Sequence, residues 1–157
     1  MRTYFAYGAN IDPDRMATRV PAARSLGPAR LDGYRLEFTI RDRDWGGGVV
    51  NIAPDAEGSV WGVLWQASAD EFEVLDTYRG ASSAQRRETV TCDGVEGPVE
   101  AFTYRVDQVA NHVRPTALYL AHLRRAMTRQ GFPGAAFEAL LRAERLGPTE
   151  TGPSIVS

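Results

Sequence analysis

The segment Ser59-Val-Trp-Gly-Val-Leu-Trp-Gln66 is apolar on both faces of an extended chain. Successive side chains of a strand point to opposite faces, so such a segment reads as the central strand of its domain. Gly62 within it marks close approach by another element. Other strand-like segments surround it. Arg2–Tyr7 is aromatic and apolar, as strands inside a sheet are. Ala22–Leu31 and Tyr34–Arg41 read as two strands joined by a hairpin turn at Asp32-Gly33. The second alternates Tyr34, Leu36, Phe38 and Ile40 against Arg35, Glu37, Thr39 and Arg41, one face buried and one wet. Val49–Ala53, closed by Pro54-Asp55, is a further strand. Arg86–Cys92 and Val99–Val106 are two more, joined by Asp93-Gly94 and Pro98.

Helix signals are fewer. Asp12-Pro13 has the form of an N-cap followed by proline at the first helical position, and the helix ends before Pro21. Ser68 and Glu71 have capping-box spacing and open a helix that runs to Tyr78 or Arg79, where Gly80 stops it. Phe72, Leu75 and Arg79 share one stripe of that helix, so the Arg79 charge has to snorkel, pair or face a pocket. Ala117–Gln130 and Ala135–Arg145 are the closing helices. Strands in the first two thirds and helices at the end predict an α+β fold: a small, mostly antiparallel β-barrel flanked by helices. One domain over 1–146 is expected, with a loose Gly/Pro/Thr/Ser-rich tail over 147–157.

Composition narrows the function. The 157 residues are 43% hydrophobic and 24% charged, with net charge −2, an ordinary globular balance that argues against a nucleic-acid partner. All 18 basic residues are arginine, so no single arginine is strong evidence of function. Cys92 is the only cysteine and is expected to be a small buried hydrophobe. His112 and His122 are too few and too far apart for a zinc motif, so no metal site and no cofactor is expected. No signal peptide and no apolar run long enough to cross a membrane is visible, which predicts a cytoplasmic protein without a membrane partner. Oligomeric state is not readable.

The stretch Tyr4-Phe-Ala-Tyr-Gly-Ala-Asn10 carries the best candidate site. Gly8 and Asn10 tolerate positive φ, and such a turn can aim several N–H groups at an anion. A buried strand-to-turn junction without chemistry is the alternative. The glycines of Asp42–Gly48 point to close backbone approach or mobility. No Gly-Lys-Ser/Thr follows, so this is not a nucleotide loop.

Taken in order, the motifs resemble those of the gamma-glutamylcyclotransferase-like (AIG2-like) family. Tyr4–Asn10 is similar to its opening Tyr-Gly-Ser-Asn signature, and Gly58–Leu64 to its central Val-x-Gly strand. Leu75-Asp-Thr-Tyr-Arg-Gly80 resembles its Leu-Asp-x-x-Glu-Gly helix end, and Ala101–Tyr104 a later strand ending in Tyr. Tyr119, followed by Gly131-Phe-Pro133, is similar to its Tyr…Gly-Leu-Pro segment. The resemblance covers residues 2–140. It implies a barrel with flanking helices and a small-molecule substrate, with Tyr7, Gly8, Ala9, Asn10, Tyr104 and Tyr119 at the binding site. It also implies release of 5-oxoproline from γ-glutamyl compounds, in which the substrate's own amine attacks its γ-carbonyl. In the family the motif's Glu moves the proton. Here Arg79 occupies that position, and an arginine cannot be a base. Ala9 replaces the loop Ser, and Gln85 or Arg86 stands where a Tyr is often found. Three readings follow. Arg79 binds an anion or oxyanion and the chemistry has changed; or the chain is an inactive ligand- or partner-binding relative; or a relocated carboxylate, from Glu37, Asp44, Asp76 and Glu88, serves a true cyclotransferase.

Overall fold

Two long antiparallel strands, β2 (Arg24–Asp42) and β3 (Gly47–Ala67), carry the fold. The computed structural model describes residues 1–78, 85–107 and 111–146. Arg79, Gly80 and the tail 147–157 lie outside the described residues. With β1 (Arg2–Ala6), β4 (Gln85–Gly94) and β5 (Gly97–Val106) the two strands close a barrel in the order β1-β3-β2-β4-β5. All pairings are antiparallel except the closing one, where β1 runs parallel to β5 at Tyr4 and Phe102. The expected α+β barrel is the observed one.

The half of β3 that is apolar on both faces is central, as its pattern demands. Val63 pairs with Ala6 of β1 on one side and with Pro28 of β2 on the other. Val63, Leu64 and Trp65 are buried with Phe5, Ile11, Ile52 and Phe72 in one core. Gly62 meets the expected close approach: a Cβ there would lie 2.4 Å from the Ala6 carbonyl oxygen and 2.6 Å from the Phe5 ring.

The hairpin expected at Asp32-Gly33 does not form, and Pro54-Asp55 does not end a strand. Asp32 pairs with Ser59 and Tyr34 with Pro54, so Gly33 faces residues 55–58 across a bulge within two continuous strands. The turn residues on both sides report one bend. Gly33 takes φ +88°, and Pro54 sits at the ladder's irregularity, where its missing N–H is tolerated. The true reversal is the turn between Asp42 and Gly47, which pair across it. Close approach accounts for Gly47 and Gly48, where a Cβ would lie 2.8 Å from the Arg114 carbonyl oxygen and 1.9 Å from that of Val113, and Gly46 takes φ +78°. Gly48 N–H donates to the Arg114 carbonyl at 3.0 Å as residues 111–116 cross the end of the hairpin. β4 and β5 each extend to Gly94 and Gly97, which pair, so their turn is Val95-Glu96 and not Asp93-Gly94.

Helix α1 (Pro13–Arg19) starts where expected, with the Asp12 carboxylate accepting from Asp14 N–H at 3.4 Å. The Ser68–Glu71 capping box is present, with both reciprocal bonds. Its helix is split into α2 (Ala69–Phe72) and α3 (Val74–Tyr78), broken at Glu73. Thr116 caps α4 (Ala117–Arg129), which buries Tyr119, Leu120, Leu123, Ala126 and Met127. The last helix opens as a 3-10 turn, Gly134–Phe137, before α5 (Glu138–Arg145). No helix among the described residues is long and apolar enough to cross a membrane.

Two outcomes are expected. Gly62→Ala drives a methyl into the Ala6 carbonyl and should destabilise the fold by about 1–3 kcal/mol in denaturant titration. Unchanged stability would mean that β1 yields without cost. Cys92 is fully buried, and burial, then the nearby Asp93 charge, pushes its thiol up from 9.0 to about 12. The unfolded thiol ionises first, so the stability Cys92 lends is whole below its ordinary value and is lost as pH rises toward the folded one. Unfolding free energy measured against pH should fall less steeply on the alkaline side in Cys92→Ala than in wild type. Parallel curves would contradict this.

Candidate functional site

β1 ends at Ala6, and the chain turns at once into a 3-10 turn, Ala9–Ile11, that leads to α1. Every carbonyl of that turn is held by a side chain from elsewhere. The Trp65 indole N–H donates to the Asn10 carbonyl at 3.1 Å, and the Gln130 amide donates to the Ile11 carbonyl at 2.8 Å. His122 Nε2 lies 3.3 Å from the Ala9 carbonyl. The buried Asn10 side chain is held at both ends: its amide donates to the Tyr4 hydroxyl at 3.2 Å, and its oxygen accepts from Arg15 Nε at 3.2 Å. A turn whose carbonyls are engaged keeps its first N–H groups as its remaining backbone function. Positive φ plays no part, since among the described residues no non-glycine adopts it and Gly8 has φ −111°. Gly8 is crowded instead: a Cβ there would lie 3.0 Å from a Val50 methyl, which would have to give by a few tenths of an ångström.

Beside the turn lies a cavity of about 70 Å³. Tyr7, Gly8, Ala9, Asn10 and Tyr119 all line it, which brings together five of the residues expected at the site. Tyr119 reaches in from α4, and its hydroxyl accepts from the Val50 N–H at 3.2 Å. Its ring packs 5.0 Å from Trp45 between centroids. Arg15, Arg19, Asp42, Trp45, Val49 and Tyr78 line the cavity as well. None of these six is among the residues expected at the site. Asp12-Pro13 marked α1, and spacing within that helix would have put Arg15 and Arg19 on one face; Asp42 and Trp45 had no such signal.

Tyr104 does not line the cavity. Its carbonyl accepts from the Tyr7 hydroxyl at 2.5 Å, and its own hydroxyl donates to Asp76 and accepts from Arg87 Nε. Burial first, then the bond to Asp76, pushes the Tyr104 hydroxyl above its ordinary value, so it stays protonated as a donor. Burial pulls the Arg87 guanidinium down, but Tyr104 and Asp76 outweigh it and raise it. Asp76 thus pairs with Arg87, at 3.1 Å. The position of Arg79 lies outside the described residues.

Nor do the four candidate carboxylates line the cavity. Glu88 accepts from the Tyr34 hydroxyl at 2.8 Å and from Arg105 at 3.3 Å, while Glu37 pairs with Arg35 at 2.7 Å. Asp76 is engaged as above, and Asp44 is exposed on the β2–β3 turn. The acid that lines the cavity is Asp42, whose Oδ1 accepts from the N–H groups of Asp44 and Trp45 at 2.8 and 3.1 Å. Among the described residues no group of three His, Cys, Asp or Glu could hold a metal ion.

Trp65→Phe removes the indole donor and leaves a buried carbonyl unpaired, an expected loss of about 1–3 kcal/mol. Amide exchange at Gly8–Ile11 should quicken in this variant. If neither changes, the turn is held by its other contacts.

Residues 4–122 match the family model described as gamma-glutamyl cyclotransferase, AIG2-like. The gamma-glutamylcyclotransferase of Bos taurus is 30% identical over 137 residues, covering 83% of this chain and 72% of the bovine protein. That of Homo sapiens is 33% identical over 84 residues, which span 51% of this chain and 45% of the human protein. A solved gamma-glutamyl cyclotransferase superposes with a TM-score of 0.80 at 24% identity, covering 95% of this chain and 89% of the other. YkqA from Bacillus subtilis superposes with a TM-score of 0.79 at 23% identity, over 95% of this chain and 56% of the other. These two superpositions establish the fold. The match to the family model, over most of the chain, establishes descent: the chain belongs to the gamma-glutamyl cyclotransferase, AIG2-like family and is by family a gamma-glutamylcyclotransferase-like enzyme.

Proposed function

We propose that the chain binds a γ-glutamyl or similar amino-acid-like compound at the Tyr7–Asn10 turn and acts on it with chemistry altered from the family's. The carrying observation is the cavity itself. It is built on the turn that matches the family's opening signature and is bordered by Tyr119, another matched position. Its volume of about 70 Å³ suits the head of such a compound and not the whole. The remainder extends outward past α1 and Tyr78.

Ring closure to 5-oxoproline forms a bond from the substrate's α-nitrogen to the carbon of its γ-carbonyl and breaks the bond from that carbon to the leaving amine. One proton has to pass from the attacking nitrogen to the leaving one. A carboxylate does this readily; Arg79, at the motif position of the family's Glu, does not. An arginine can instead hold a carboxylate or stabilise the oxyanion that the γ-carbonyl becomes. One observation favours a second reading, cyclotransfer with a relocated acid: Asp42 lines the cavity and has one oxygen beyond those bonded to its own turn.

The test is 5-oxoproline release from γ-glutamylalanine by wild type, Arg79→Glu and Asp42→Asn. Altered chemistry predicts a slow wild type and, in Arg79→Glu, a gain of about 100-fold or more, the usual worth of a positioned acid/base. Fast wild-type release that Asp42→Asn abolishes supports the relocated acid. A folded wild type that binds the compound yet, like Arg79→Glu, yields no product is an inactive binder. A folded wild type that neither binds nor turns over γ-glutamylalanine overturns the proposal.

A further inference from the structure

The helix opened by the Ser68–Glu71 box breaks at Glu73, and the break leaves a carbonyl to be satisfied. In an unbroken helix the Asp76 N–H would donate to the Phe72 carbonyl, four residues back. Here it donates to the Glu73 carbonyl at 3.1 Å instead. A side chain from β4 takes up the Phe72 carbonyl: Nη2 of the Arg87 guanidinium donates to it at 3.3 Å. The same guanidinium grips the Asp76 carboxylate, with Nε on one oxygen at 3.1 Å and Nη2 toward the other at 3.4 Å. Arg87 therefore holds the end of α2 and the body of α3 at once.

Its own plane is fixed from the barrel. The guanidinium lies 4.3 Å from the centre of the Phe102 ring, and Nε also donates to the Tyr104 hydroxyl at 3.2 Å. Stacking on a flat face leaves the in-plane donors aimed, and donation in three directions suits a planar fork and not an ammonium. Both ends of this network reach the cavity at the turn. α3 ends at Tyr78, which lines it, and Arg79 follows Tyr78 in sequence. The Tyr104 carbonyl accepts from the hydroxyl of Tyr7, which lines the cavity on the side of the turn. Arg87 itself does not line it, so any effect of Arg87 on the cavity passes through these neighbours.

We propose that Arg87 is a positioning residue for the site. It keeps α2 and α3 from merging into one helix and so sets where Tyr78 stands against the turn. This rests on the reading of the cavity as a γ-glutamyl or amino-acid-like site and adds the residue, outside the cavity, that shapes its mouth.

Arg87→Met keeps the length of the side chain and its packing on Phe102 but donates nothing, and Arg87→Lys keeps the charge without the fork. Each is made in wild type and in Tyr78→Ala. Thermal and denaturant unfolding fix conditions in which every variant is folded, and γ-glutamylalanine is titrated calorimetrically under them. Arg87→Met should weaken binding about tenfold, the worth of one well-placed contact, and Arg87→Lys should weaken it less. In the Tyr78→Ala background Arg87→Met should cost no more than about twofold, because residues that act through one another are not additive. In the free protein, Arg87→Met should shift the amide resonances of Glu73–Tyr78 as the Asp76 N–H turns to the Phe72 carbonyl. Should Arg87→Met not fold, Arg87→Lys carries the same comparison. A variant that loses stability yet binds as wild type does when folded makes Arg87 structural only and overturns the proposal, while the γ-glutamyl reading stands. Equal losses in the two backgrounds overturn it as well. Folded wild type that does not bind γ-glutamylalanine removes that reading and the positioning role with it.

Discussion

The bond from the Trp65 indole to the Asn10 carbonyl ties the central strand to the turn on which the site is built. It makes one rigid unit of two segments that are 55 residues apart in sequence. The central strand cannot shift without moving the turn, because Trp65 also pairs with Tyr4 in β1. Gln130 and His122 of the α4 region add the same constraint from the opposite side. On the proposed reading, a turn held this way has little left to order when ligand binds, which is what preorganisation means in energetic terms.

The electrostatics follow from a chain whose cations are all arginine. Three carboxylates of or beside the barrel are engaged by arginines: Asp76 by Arg87, Glu88 by Arg105, Glu37 by Arg35. The Asp76 and Glu37 pairs are partly exposed and contribute at most about 1 kcal/mol each, so their consequence is less stability than occupancy, while the Glu88 pair has the buried Arg105 as its partner. A carboxylate locked in such a pair is a poor proton carrier. That is why the four acids suggested by sequence lose ground to Asp42, which faces the cavity with backbone donors on one oxygen only.

Much of the fold was legible because its signals are local. The Asp12 cap, the Ser68–Glu71 box and the two-faced strand at Ser59–Gln66 each depend on neighbours in sequence. Asp32-Gly33 misled because the same residues serve a hairpin turn and a bulge. Which one forms is decided by whether residues 55–58 lie opposite, a tertiary fact. Five turn and α4 residues that fall in ordered motifs line one cavity. Arg15, Arg19, Asp42 and Trp45 were not legible, because only folding brings α1 and the β2–β3 turn to that cavity. Tyr104 illustrates the reverse. It falls in an ordered motif, but its hydroxyl is spent on Asp76 and Arg87 and its carbonyl on Tyr7.

The account stands on the turn at Gly8–Asn10 being where ligand binds. The most direct measurement is the amide NMR spectrum of the labelled protein as γ-glutamylalanine is added. The account predicts saturable shifts at Gly8, Ala9, Asn10 and Val50, with lesser ones along α1. Shifts confined to the outer face of α4 and α5, with those four amides silent, would contradict it.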